Sequence, residues 1–284
     1  MDLKKYWLNF LDFIFSIPKR YWFVMLIYVL MQLSAFVTVP IFAIIFKFEP
    51  IDSLVYSQLF GFALATVLSL FILRKDITNE LKNNDTTIGK IISWSIIGVF
   101  LAYLAQFVAA SIEMFLLNIE PGSENTADIM NIINASTLFL LIPAIFAPIL
   151  EELLFRKIIF GSLYRRMNFF WAAILSSLAF GVIHLDLTHL LIYTGMGLVF
   201  SYLYVKTKTI IVPILVHMGM NTITVLMQLT VDIEELERIQ NELGSMINFI
   251  GGWLICFLEL FIFYLGFYLL AWLVFTDKKL VGVY

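Results

Sequence analysis

Residues 137–164 read TLFLLIPAIFAPILEELLFRKIIFGSLY. A transmembrane helix needs about 20 mostly apolar residues to cross a hydrocarbon core of roughly 30 Å, and this run has that length. Inside it stand Glu151, Glu152 and Arg156. On insertion scales a charge at the centre of such a helix costs at least about 2.5 to 3.5 kcal/mol, so each charge requires a partner or a purpose. The stretch points to lipid as the solvent of the fold, and to its own middle as the place to look for chemistry.

The remainder of the 284 residues agrees with lipid. Hydrophobic side chains make up 61% and charged ones 14%, with a mean hydropathy of +0.94. Such a composition cannot cover a globule of this size with polar surface. Between charged or turn-forming interruptions the apolar stretches predict eight spans, over 21–48, 53–73, 91–117, 137–164, 168–184, 187–205, 209–229 and 247–275. The expected fold class is an all-α polytopic membrane protein, with residues 1–284 as a single membrane domain and 137–229 as its catalytic core. It is expected to be multi-pass, surrounded by membrane lipids, and in the plasma membrane if the chain is bacterial.

Orientation follows from the basic residues, which collect at the cytoplasmic ends of spans. Sixteen of the eighteen fall on one side: Lys4, Lys5, Lys19 and Arg20 before the first span, Arg74, Lys75, Lys82 and Lys90 after the second, Arg156, Lys157, Arg165 and Arg166 at the end of the fourth, then Lys206, Lys208, Lys278 and Lys279. Both termini are therefore expected in the cytoplasm. The opposite loops are acidic, and 230–245 places Ile233, Leu236, Ile239 and Leu243 at helical spacing among those acids. Residues 1–20 suit a short amphipathic helix in the interface, with Trp7, Phe10, Leu11 and Ile14 at helical spacing. Cys256 is the single cysteine, which excludes an intramolecular disulfide or a thiolate metal cluster. Nothing supports nucleic-acid binding.

Six polar positions in the spans carry the chemical argument: Glu151, Glu152, Arg156, His184, His217 and Asn221. Glu152 and Arg156 are four residues apart and share a helix face, so they read as a structural ion pair, while Glu151 points about 100° away. Pro148 removes a backbone donor one turn before the carboxylates. Small residues Ala172, Ala173, Ser176, Ser177 and Gly181 precede His184 and would let a neighbouring helix come close. His217 and Asn221 lie on one face about one turn apart. Counted at roughly 1.5 Å per residue, Glu151 lies about 21 Å from the basic end, His184 about 24 Å, His217 about 12 Å and Asn221 about 18 Å. Tilted helices would bring all four to one polar cavity. There a poorly solvated carboxylate acts as general base toward water with His184, and His217 and Asn221 donate to the oxyanion. A zinc version, with Glu151, His184 and His217 as three ligands and water as the fourth, is also reasonable chemistry; the chain has no His-Glu-x-x-His helix, and the residues do not decide between the two.

These positions resemble the CAAX protease and bacteriocin-processing (CPBP, or Abi) family of intramembrane peptidases, related to the Rce-type prenyl-protein endopeptidase. Its pattern appears in order as Glu151-Glu152-Leu153-Leu154-Phe155-Arg156, Phe180-Gly181-Val182-Ile183-His184 and His217-Met218-Gly219-Met220-Asn221. The resemblance implies an eight-helix α-fold, Glu151 as the essential base, His184 as its partner, and His217 with Asn221 as the oxyanion site. Members are often named metalloproteases, and a metal-independent glutamate mechanism has also been argued. The expected function is an intramembrane endopeptidase acting on a membrane-bound or lipophilic peptide or membrane protein. Two other readings compete: a non-proteolytic scaffold or bacteriocin-immunity protein that regulates a partner such as a sensor kinase, and a proton-coupled transporter, for which no inverted repeat is visible. His189, close to Asp186, either hydrogen-bonds within its loop or gates the site. Glu259 either is protonated and hydrogen-bonded in the last span or faces the same cavity.

Overall fold

The computed structural model describes residues 12, 16–82, 87–117 and 136–230. The described residues are helical, without strands, and form α1 (Lys19–Ile45), α2 (Pro50–Lys82), α3 (Ile88–Leu117), α4 (Thr137–Tyr164), α5 (Phe169–Val182), α6 (Leu190–Thr207) and α7 (Ile211–Thr230). These are seven of the eight expected spans. Helices α1, α2, α3, α4 and α6 are long and apolar enough to cross a membrane, whereas α5 and the apolar part of α7 are shorter. Lipid-facing side chains are apolar and bare of protein cover, among them Phe36, Ile44, Ile88 and Phe100. The protein is a polytopic membrane protein. The eighth expected span with Glu259 and Cys256, most of the interfacial helix 1–20, and the acidic helix within 230–245 lie outside the described residues.

Local sequence explains the helix ends. Pro18 precedes α1, and Pro50 opens α2 after a turn at Lys47 with φ of 56°. Asn168 caps α5 by accepting from the backbone N–H of Trp171 at 3.1 Å. Helix α6 ends at Lys208 in the left-handed region.

One expectation is corrected. Span two was expected to stop at residue 73, yet α2 continues to Lys82. Hydropathy marks where lipid ends, and the helix persists beyond it because its polar turns find partners. Arg20 donates to Asp76 at 2.8 Å, and Glu80 receives Lys157, the Tyr204 hydroxyl at 2.5 Å and the Ile210 N–H at 3.3 Å. The expected pairing of Arg156 with Glu152 is present, and Lys157, counted with the basic end of the same span, also has an acid partner. Both basic side chains are buried, the first against Glu152 and the second against Glu80.

Helix α4 is the hub. It packs against α2, α5, α6 and α7, and it is irregular, with π-helical turns at Ile142–Phe146 and Leu153–Phe160. In the first π turn the Ala147 N–H reaches Ile142 O, so the next amide in that pattern, opposite Pro143 O, belongs to Pro148, which has no hydrogen to give. Pro143 O takes the Asn221 amide of α7 at 2.9 Å instead, and two further α4 carbonyls receive hydroxyls from neighbouring helices, Thr66 on Phe146 O and Ser176 on Phe155 O, each at 3.3 Å. The principal core joins α3 to α7 around Phe160, Ala172, Phe200, Leu203 and Val216.

The expected close approach of α5 occurs against α6. A Cβ built on Gly197 would stand 2.8 Å from Ser177 Cβ and 3.0 Å from its Cα. Gly197→Ala is expected to lower the unfolding midpoint in detergent by several degrees, as an overpacking cost of about 1–3 kcal/mol would. Gly89→Ala, where the new methyl meets nothing within 4 Å, should not lower it.

Candidate active site

Glu151 and Glu152 leave α4 in different directions and meet opposite nitrogens of one imidazole. Glu152 is fully buried, and its Oε1 accepts from His217 Nδ1 on α7 at 3.1 Å. Glu151 keeps 14% side-chain exposure and places Oε2 3.8 Å from His217 Nε2. That distance is too long for a hydrogen bond and short enough for one oxygen atom to bridge both groups, with contacts of about 2.8 Å. The α-helical count along the sequence separated the two residues by several ångström of depth. Part of that difference disappears because the π turns of Leu153–Phe160 fit more residues into the same length.

Arg156 completes the buried set. Its Nε lies 3.2 Å from Glu152 Oε2, and both side chains are fully buried. Its guanidinium carbon sits 4.7 Å from the Phe180 ring centre and 5.4 Å from that of Phe200. Among the described residues its nitrogens have no aligned hydrogen-bond acceptor; the ring faces and the Glu152 carboxylate supply the compensating negative potential. Phe200 also stacks on His217 at 4.9 Å. The aromatic pair therefore holds arginine and imidazole around one carboxylate.

His184 lies two residues past the end of α5 and is less tightly joined to this set. Its Nδ1 is 2.8 Å from Phe180 O, which fixes Nδ1–H as the donor and leaves Nε2 as an acceptor in the neutral ring. The ring stacks on Tyr193 at 4.0 Å and meets the edge of Phe180 at 4.7 Å. Phe180 in turn lies 5.8 Å from His217, so the two histidines flank a single phenyl ring. Among the described residues no hydrogen bond or ion pair joins His184 to Glu151. Asn221 is one turn beyond His217, and its amide donates to Pro143 O, where it holds α7 to the first π turn of α4.

For His189 the structure supports hydrogen bonding within its loop. Its backbone N–H donates to Asp186 at 3.2 Å and its Nδ1 meets Glu113 at 3.1 Å. Glu113, buried at the end of α3, was not singled out from the sequence, nor was Glu80. Each is an acid beside or within an apolar run, which is the signal that could have found them. The expected zinc ligands were Glu151, His184 and His217. Among the described residues no three His, Cys, Asp or Glu side chains converge as a metal site. His184 Nδ1 is tied to Phe180 O and His217 Nδ1 to Glu152, and the remaining Nε2 atoms do not gather with Glu151 at one point. This donor set does not fit a shared ion.

Comparison with known proteins places these motifs. The family described as Type II CAAX prenyl endopeptidase Rce1-like matches residues 133–223. A putative membrane peptidase, YdiL, of Bacillus subtilis (strain 168) is 44% identical over 222 residues, covering 74% of this chain and 90% of that protein. A membrane-embedded CAAX protease, MroQ, of Staphylococcus aureus (strain USA300) is 36% identical over 145 residues, covering 49% of this chain and 59% of that protein. No solved structure matches the chain.

The buried set makes a stability prediction. Arg156→Met strands the Glu152 charge and should cost about 3–5 kcal/mol in denaturant unfolding in detergent, whereas Arg156→Met combined with Glu152→Leu should recover most of that loss. The double variant should stay inactive, because His217 loses its anchor. Asn221→Ala, which leaves Pro143 O without its donor, should cost about 1–3 kcal/mol in the same measurement.

Proposed function

The chain belongs to the Rce1-like CAAX protease family and is an intramembrane protease, and on that premise we propose that it cleaves a peptide bond of a membrane-bound or lipophilic substrate at Glu151 and His217. The observation that carries this reading is the 3.8 Å gap between Glu151 Oε2 and His217 Nε2. It lies within apolar helices, backed by the buried Glu152 and Arg156.

The steps follow from the donors and acceptors present. Water enters between Glu151 and His184 Nε2, and Glu151 takes a proton as the water oxygen attacks the scissile carbonyl carbon. His217, anchored through Nδ1–H on Glu152, presents Nε2 to the oxygen on which negative charge develops; in its protonated form it donates there, with Glu152 balancing its charge. Collapse breaks the C–N bond, and Glu151 passes its proton to the leaving amine. One amide hydrogen of Asn221 is engaged on Pro143 O, so its contribution to the oxyanion comes from the second, and its first duty is to place α7. No step passes through a metal ion. The chemistry suits a substrate that arrives from the bilayer, since the groups sit among lipid-facing spans. The basic end of the bundle, near Arg74, Lys75, Arg165 and Arg166, is placed in the cytoplasm by the same reading.

The test uses the full chain in liposomes with two probes, a farnesylated C-terminal peptide and an unmodified apolar transmembrane peptide, and reads products by mass spectrometry. Cleavage of one of them should fall about 10²–10⁴-fold in Glu151→Gln and in His184→Ala, with unfolding midpoints unchanged. Normal processing by both variants would remove the mechanism, whereas no cleavage of either probe by the parent enzyme would favour a non-proteolytic scaffold. Because the ligand set does not converge, 1,10-phenanthroline and EDTA should leave the rate unchanged.

A further inference from the structure

Glu113 lies on α3, outside the three motif-bearing helices, with 1% of its surface exposed. No step of the hydrolysis uses it. Burying a carboxylate so completely requires strong partners, and all of its described hydrogen bonds go to one place, the start of α6. Oε1 accepts from the backbone N–H of Leu191 at 2.9 Å and of Ile192 at 3.3 Å, and Oε2 meets His189 Nδ1 at 3.1 Å. The first amides of a helix have no intrahelical acceptor and carry its positive end, so an acid there both satisfies and complements them. His189 stands at the N-cap of α6 and supplies no side-chain cap of its own. The cap that α6 lacks locally comes from α3.

The first turn of α6 is also the platform of His184. Tyr193 belongs to that turn, and its ring stacks on the imidazole at 4.0 Å and 18°. On its other side His184 is tied through Nδ1 to Phe180 O. The link from His184 to α6 offers no regular helix to hold it, and passes through Leu185 at φ of 56°. The orientation of His184 Nε2 therefore depends on where Tyr193 stands, and Tyr193 stands where Glu113 clamps the helix start.

We propose that Glu113 is a positioning residue for the reaction: by capping the first turn of α6 and binding His189, it fixes Tyr193 as the surface that orients His184. The proposal rests on the reading of His184 as part of the reactive centre. It brings α3 into the machinery, from a part of the chain that the family match at residues 133–223 does not include.

The experiment uses the full-length enzyme in liposomes with whichever of the two peptide probes it cleaves, and variants Glu113→Leu, Glu113→Gln, Tyr193→Leu, Tyr193→Phe and His184→Ala. In Glu113→Leu and Tyr193→Leu, kcat should fall about 10- to 100-fold per folded enzyme with KM changed less than about twofold, as expected of a misplaced reacting group. Glu113→Gln, which keeps an acceptor for the two amides, and Tyr193→Phe, which keeps the ring, should recover most of kcat. Amide hydrogen exchange over residues 184–193 should accelerate in Glu113→Leu and remain near the parent rate in Glu113→Gln. If Glu113→Leu does not accumulate, the Tyr193 pair and the exchange of Glu113→Gln carry the test. An inactive His184→Ala beside an unchanged kcat in folded Glu113→Leu or Tyr193→Leu overturns the positioning role alone. Full activity in His184→Ala overturns the reading of the site, and the positioning role with it.

Discussion

The structure depends on a carboxylate that cannot be left alone. Glu152, fully buried in the middle of α4, is worth its desolvation only while Arg156 and His217 both face it, at 3.2 and 3.1 Å. That requirement draws α7 onto α4. It also needs Phe180 of α5 and Phe200 of α6 around the guanidinium, because no aligned acceptor meets its nitrogens among the described residues. Four helices are thus committed to one buried charge. Glu151, its neighbour in sequence, is left facing the other side of the same imidazole with a gap that a reacting oxygen fits.

Helix α4 can serve as this hub because it is not a regular helix. Its π turns widen the backbone, and Pro148 withholds the amide that Pro143 O would otherwise receive. Pro143 O becomes the acceptor for Asn221, and Phe146 O and Phe155 O receive the hydroxyls of Thr66 and Ser176. In a medium without water these contacts both satisfy the backbone and set the register of the neighbouring helices. Irregularity in α4 and the fixed position of α7 are two descriptions of the same hydrogen bonds.

Much of the fold was legible in the amino-acid sequence, because hydropathy alone locates membrane spans: seven of the expected eight correspond to helices α1 to α7. Length was legible only as far as lipid contact reaches, which is why the polar end of α2, held by Arg20 and Lys157, was not anticipated. At the site, the i,i+4 spacing correctly paired Glu152 with Arg156. That Glu152 also binds His217 could not be read, since nothing in local spacing reports which of two adjacent carboxylates faces another helix. Asn221 was read from its spacing to His217, but its bond to Pro143 depends on a π turn that spacing does not reveal. Glu113 stands in an apolar run that marks it as a buried acid, but its partners, the backbone amides of Leu191 and Ile192 and the His189 ring, are not readable from local spacing.

The central claim is that Glu151 and His217, 3.8 Å apart, together face the scissile carbonyl. It is tested most directly by an experimental structure of the Glu151→Gln enzyme with an uncleaved peptide bound. The account predicts the scissile carbonyl oxygen about 3 Å from His217 Nε2, with its carbon between residue 151 and His184. A peptide bound with that carbonyl beyond reach of both His217 and residue 151 would contradict it.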